Sequence, residues 1–318
     1  MAYGITVPFQ GVPLAEHRSW FAEASELGYT DLWSSEADGT DAFTPLALAA
    51  AWAPDLRLGT AIVPAYTRGP ALLAQSVAAM AEAAPGRFAF GLGTSSDVIV
   101  ERWNDVAFDR PYQRTRDLVR FLRLALGGER VDQEFETFRV RGFRLGRPPA
   151  QVPPILVAAL RPGMLRLAGR EGDGAIINWL AADDVPRVVA EIGPGREVVA
   201  RIFVCPSEDT ATVRAHARRL IGAYLTVPVY AAFHEWLGRG EALRGLWDGW
   251  AAGDRKAAVA SIPDAVVDAL VLHGSPASVR AQVDRYVANG VTTPVLALLP
   301  MAGVEQRTAM RELAPTGP

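Results

Sequence analysis

The segment Ala158-Ala159-Leu160-Arg161-Pro162-Gly163-Met164 combines small residues, one arginine and a proline placed to open a helix. Free backbone N–H groups at a helix N-terminus attract anions, and a neighbouring guanidinium adds charged donors, so the pattern suits a phosphate. The alternative is a plain turn with a solvated arginine. A second set is main chain rather than side chain. Gly59, Thr60 and Ala61, then Gly91, Gly93 and Thr94, put little bulk at two strand ends, where a flat ligand can approach the backbone. Gly91-Leu92-Gly93 is a weak dinucleotide fingerprint, lacking the third glycine and a following acidic strand end. Glu36 closes the strand-like run LWSSE and either holds a proton in a pocket or is a helix-terminal or surface carboxylate. Asn178 ends GAIIN and either reaches a ligand or caps a turn. His17, His216, His234 and His273 have no metal-ligand spacing, and no Ser-His-Asp or Cys-His arrangement can be drawn, so neither a metal site nor a protein nucleophile is expected. The chemistry then belongs to a bound cofactor.

These residues need a scaffold that brings strand ends together. Strand-like runs alternate with helical ones: Tyr3 to Val7, Asp31 to Ser34, Arg57 to Val63, Arg87 to Leu92, Ile155 to Ala159, Ala175 to Asn178, Val198 to Cys205 and Pro294 to Leu299. Several are continuously apolar, as strands covered on both faces are. Eight such runs with intervening helices predict a closed parallel (β/α)8 TIM barrel, whose chemistry sits at the C-terminal ends of its strands. Two stretches break the rhythm. Val131 to Arg144 alternates like an antiparallel hairpin, and Tyr224 to His273 is a helical excursion punctuated by Pro228, Gly238, Gly240 and Gly253. The chain therefore reads as one barrel domain over 1–318 with insertions at about 128–147 and 224–273. The second insertion is either a lid over the mouth or a helical decoration outside it; as a lid it would bring Tyr224, Pro228, Tyr230 and His234 to the substrate side.

Composition narrows the partners. Half of the 318 residues are hydrophobic and the formal net charge is −3 with no basic block, which argues against nucleic-acid or membrane-surface binding and for a small-molecule substrate. A single Cys205, read as a buried strand residue, excludes a disulfide framework. Met1 leads directly into a strand-like run, with neither a signal-peptide pattern nor a membrane-spanning apolar stretch, so a cytoplasmic location is expected.

Five blocks carry a family resemblance: LWSSEADGTDAF (Leu32 to Phe43), RLGTAIVPAYTRGPALLAQ (Arg57 to Gln75), GRFAFGLGTSS (Gly86 to Ser96) with the following VERW and RPYQRTRD, PPILVAALRPGMLRLAGREGDGAIIN (Pro153 to Asn178), and HGSPASVRAQVDRYVANGVTTPVL (His273 to Leu296). In this order they resemble the bacterial luciferase-like family, and within it the branch that uses the deazaflavin coenzyme F420. The resemblance implies an F420-dependent oxidoreductase that moves a hydride between the deazaflavin C5 and a small organic substrate, by C=C or C=N reduction or alcohol oxidation. It implies a non-prolyl cis peptide at Ala61-Ile62, next to Thr60, behind the cofactor's central ring. The cofactor phosphate falls at Ala158, Ala159, Leu160, Arg161, Gly163 and Met164. Gly93, Thr94 and Ser95 lie beside the cofactor chain or the substrate, and Asn178 near a ring edge or the substrate. Glu36 is the first choice for the proton role, with Tyr230 or His234 in reserve. Arg68 either approaches the acidic tail of F420 or is solvated. Relatives acting on sugar phosphates carry a histidine near Glu36, and this chain has none there. A monooxygenase using reduced FMN and oxygen, or a non-catalytic flavin-binding barrel, is the alternative. Dimers are common in the family, and a homodimer is expected.

Overall fold

Eight short, apolar segments bury both faces and pair only in parallel, which forces each return through a helix on the outside. In the computed structural model, which describes residues 2–315, these are β1 (Gly4–Val7), β2 (Asp31–Ser34), β3 (Arg57–Thr60), β4 (Phe88–Gly93), β5 (Ile155–Ala158), β6 (Gly174–Asn178), β7 (Glu197–Cys205) and β8 (Thr293–Leu298). Each pairs with the next, and β8 pairs with β1, so the sheet closes into the expected barrel. All eight expected runs are barrel strands, with ends moved by a residue or a few.

The outer layer comprises α1 (His17–Glu26), α2 (Phe43–Trp52), α3 (Pro70–Ala83), α4 (Pro111–Leu126), α5 (Pro162–Glu171), α6 (Val185–Ile192), α7 (Thr210–Leu225), α8 (Pro228–Trp236), α9 (Gly240–Ala251), α10 (Arg255–Ala260), α11 (Asp264–Leu270), α12 (Pro276–Ala288) and α13 (Gln306–Glu312). A proline in the first turn opens α3, α4, α5, α8 and α12. Proline there loses no helical hydrogen bond and fixes φ at the helical value, so each strand-to-helix turn has a defined end.

The run expected over Arg57 to Val63 is interrupted. β3 stops at Thr60, and Val63–Pro64 is a separate short strand paired with the end of β4. A further strand, Val271–His273, extends the sheet beside β7 inside the excursion that had been read as helical. Three residues are too few for a period-2 pattern to register in sequence.

The hairpin forms as expected from Val131–Glu134 and Arg139–Phe143. It covers α4, with Phe121 against Phe135, Phe138 and Phe143, and Asp117 accepting from the Thr137 N–H and hydroxyl. The helical insertion packs Leu243, Leu246 and Val267 into a cluster with Val213 and Ile221 of α7, and that cluster is continuous with Trp179, Phe203 and Cys205 at the ends of β6 and β7. It therefore lies beside the ends of β6 and β7, partly against α7.

Inside the barrel the side chains form layers. At the N-terminal face the Arg57 guanidinium donates to both Glu197 carboxylate oxygens at 2.6 and 2.8 Å, with Asp31 at 3.4 Å and the Thr293 hydroxyl donating to Glu197. Trp33 fills the middle with Ala89, Leu156, Ile176, Val199 and Val295. A Cβ on Gly59 would lie 2.3 Å from the Trp33 ring, so glycine is required there by the core. No helix among the described residues is long and apolar enough to cross a membrane.

Candidate functional site

The C-terminal mouth is built from the strand ends above the Trp33 layer. Alternation along the strands points Ala61, Gly93, Ala158, Asn178 and Arg201 inward at this level, with Asn178 and Arg201 register partners on β6 and β7. Between Thr60 and Val63 the chain leaves the ladder, and the Ala61-Ile62 peptide is cis, as the resemblance implied. Neighbours on both sides hold this bulge. The Ala61 N–H donates to the Ser34 carbonyl at 2.5 Å, and the Glu36 N–H to the Ile62 carbonyl at 3.2 Å. Ala61, Ile62 and Ala158 pack together yet stay partly exposed. The result is a small apolar floor.

Some of the bare strand ends serve packing. A Cβ on Gly91 would sit 1.9 Å from the Thr60 carbonyl oxygen and 2.4 Å from Ile176. On Gly93 it would meet the Ile62 side chain at 2.8 Å. The bulge of β3 is thus accommodated by glycines of β4, and Gly91 is not open to a ligand. Thr60 is also withdrawn. Fully buried, its hydroxyl donates to the Gly91 carbonyl at 3.0 Å and accepts from the Gly91 N–H at 2.8 Å, joining β3 to β4 where their main-chain pairing has lapsed. Thr94 and Ser95 are partly exposed, and Ser95 has φ 64°.

At the end of β5, α5 begins without a side-chain cap. Pro162 has no N–H, and those of Gly163 and Met164 have no partner within the helix. Arg161 and Gly163 are exposed, and nothing approaches Gly163 within 4 Å of a would-be Cβ. Ala159 is buried, while Leu160 and Met164 are partly buried against the core. The anion-binding features expected for this turn are therefore open and adjacent to Ala158.

Glu36 departs from its expected part. One carboxylate oxygen accepts from Arg68 at 2.6 Å and the other from the Ala42 N–H at 3.0 Å, and both side chains of the ion pair are largely buried. The Arg68 guanidinium also lies over Phe43, 5.2 Å from the ring centroid. With each oxygen engaged by a donor, Glu36 is a charged partner that holds the loop between β2 and α2, and it presents no free acid to the mouth. Arg68 is accordingly neither solvated nor free.

The two reserve residues separate. The Tyr230 hydroxyl accepts from the Asn178 amide at 3.2 Å, which places it at the mouth, and burial raises its phenol pKa, so it stays a neutral O–H donor. Tyr224 meets Tyr230 edge-on at 5.8 Å, and Trp179 stacks on Phe203 at 4.0 Å. His234, one residue past a helical turn from Tyr230, is fully buried instead. Burial, reinforced by the Arg239 charge and opposed by the Trp179 backbone, pulls its imidazole down to about 3. It lies beside Phe233, which packs in the barrel core, and near the Trp179 backbone, closed off from solvent. Cys205 is the buried strand residue expected, its thiol pushed up to about 11 by burial. Sequence reasoning passed over Arg201. The signal was available: a single arginine in the otherwise apolar run VVARIFVC.

Residues 1–293 match the model of the luciferase-like monooxygenase family. The chain belongs to that family. One relative, the 5,10-methylenetetrahydromethanopterin reductase of Archaeoglobus fulgidus, is 27% identical over 312 residues, covering 93% of this chain and 92% of its own. Two solved structures share the fold. The coenzyme F420-dependent tetrahydromethanopterin reductase of Methanopyrus kandleri superposes with a TM-score of 0.81 at 19% identity, over 99% of this chain and 98% of that one. An F420-dependent secondary alcohol dehydrogenase, in complex with an F420-acetone adduct, gives 0.78 at 14% identity with coverage of 99% and 98%. Luciferase-like membership and the barrel thus agree over nearly the whole chain.

Proposed function

We propose that this protein is an F420-dependent oxidoreductase acting on a small organic substrate, by C=C or C=N reduction or alcohol oxidation. The observation that carries the reading is the junction on β5: the flat floor of Ala61, Ile62 and Ala158 adjoins the uncapped N-terminus of α5 with Arg161 exposed beside it. A planar ring with a phosphate on a flexible chain fits such a surface. Relatives and fold neighbours named as F420 enzymes support the choice of ring.

When bound, F420 supplies or accepts a hydride at C5 of its deazaflavin. The chain's own contribution is positional and electrostatic. The N–H groups of Gly163 and Met164, with Arg161, would hold the phosphate. Ala61, Ile62 and Ala158 would hold the ring on their apolar floor, which Gly93 underlies, with Thr94 and Ser95 available as polar contacts. The Tyr230 hydroxyl, fixed by Asn178, donates the proton to the substrate's other atom in a reduction, and the aromatic wall of the lid excludes water. Glu36 keeps the loop after β2 in place through Arg68. We place the enzyme in the cytoplasm as a homodimer of single-domain barrels.

The family's description as luciferase-like monooxygenases favours FMN as a second reading, because FMN shares the planar ring and the phosphate. Calorimetric titration with F420, FMN and FAD separates the two. Tight binding of F420 with weak FMN binding is expected; tight FMN binding with no response to F420 would sink the proposal.

A further inference from the structure

The Arg201 side chain comes from the middle of β7 and faces the barrel interior at the level of Asn178, between β6 and β8. Its guanidinium carbon lies 5.1 Å from the Phe203 ring centroid, and Tyr224 and Tyr230 are the titratable groups that act on it. Among the described residues no carboxylate comes within 4.0 Å of it, and its Nε is inaccessible to solvent and without a hydrogen-bond partner. The contrast with Arg57, on the inner face of β3 at the other end, is direct: that guanidinium is bidentate to Glu197 and reaches Asp31. A guanidinium in an apolar barrel without a counter-ion lowers the stability of the fold, and replacing it with an uncharged side chain of similar length relieves that cost. A residue that costs stability and faces the C-terminal mouth is explained by a ligand that completes it.

We propose that Arg201 is a specificity determinant that binds a carboxylate of the substrate, with the substrate's planar or apolar body against the partly exposed Tyr224 and Tyr230. This rests on the mouth being the active site, and it narrows the substrate class to organic acids. The guanidinium offers paired donors that match a carboxylate, and the Tyr230 hydroxyl next to it addresses the neighbouring oxygen or carbon substituent. The Arg161 region is a separate anion locus, on the far side of β6 from β7.

The test uses the whole purified protein with benzoate and its neutral isostere benzamide as probes, followed by calorimetry without cofactor. Benzoate is expected to bind at least about tenfold more tightly than benzamide, since a charged hydrogen-bonded pair is at stake. Arg201→Gln is expected to abolish that preference, and Arg201→Lys to keep part of it. The melting temperature of Arg201→Gln should equal or exceed that of the parent, an outcome a structural role for the arginine does not give. Equal binding of the two probes, or a benzoate preference that survives Arg201→Gln, overturns the proposal. So does loss of the preference in Arg161→Ala with retention in Arg201→Gln, which would place the anion at α5. F420 affinity should be unchanged by Arg201→Gln; a matching fall would assign the arginine to the cofactor and overturn it. Failure of the parent protein to bind F420, with the benzoate preference intact, would sink the cofactor reading alone.

Discussion

Gly59, Gly91 and Gly93 lack side chains for three different neighbours: the Trp33 ring, the Thr60 carbonyl and the Ile62 side chain. In sequence they look alike, as bare strand ends open to a ligand. Gly91→Ala forces a Cβ to within 1.9 Å of a backbone oxygen that the bulge cannot yield. It should destabilise the fold by about 2–4 kcal/mol in urea denaturation, as overpacked cores do. Arg161 belongs to the opposite kind of residue, exposed and without a role in packing. Arg161→Ala should leave urea stability within about 0.5 kcal/mol of the parent while weakening F420 binding by about 1.5–3 kcal/mol, measured by fluorescence titration. An unchanged affinity would remove it from the phosphate site. Glu36 teaches the same lesson from a charged residue: its type suited a proton donor, and only its contacts with Arg68 and Ala42 make it a loop anchor.

At the scale of elements, α8 reaches the end of β6 through a side-chain hydrogen bond, Asn178 to Tyr230, beside the aromatic packing of Trp179, Phe203 and Tyr224. Tyr230→Phe keeps the ring and removes the acceptor. Stability should fall by only about 0.5–1.5 kcal/mol, whereas amide exchange in α8 should accelerate over that of α3 or α4, and turnover should fall if the hydroxyl handles the proton. Unaltered turnover at every pH would exclude that role. The insertion was recognisable as an insertion because its helices replace one βα step. Whether it lay over the mouth or outside the barrel was not recognisable, because that depends on which strand ends Phe203 and Trp179 project from.

For the molecule as a whole, His234 ties folding to pH. An unfolded histidine takes a proton near 6.5, while the folded one resists until about 3. Between those values the unfolded chain binds more protons, so stability falls as pH drops through that window and levels off below it. From pH 7.5 to 5 the loss from this residue should be about 2 kcal/mol, and His234→Leu should flatten that part of a stability profile. A profile unchanged by the substitution would count against a neutral buried imidazole. The closed barrel itself was legible because strand and helix periods are local properties of consecutive residues, repeated eight times in the order that parallel pairing demands. The proline-opened α5 was legible for the same reason. Occupancy was not. Whether a glycine gap holds a ligand or a neighbour, whether Glu36 meets Arg68, and whether Arg201 meets any carboxylate are all questions about residues distant in sequence, and closure of the sheet answers them by setting which side chains share a layer. The chain alone determined the scaffold and the end of it that does chemistry; the tertiary structure decided which groups at that end are already paired and which are left for a ligand.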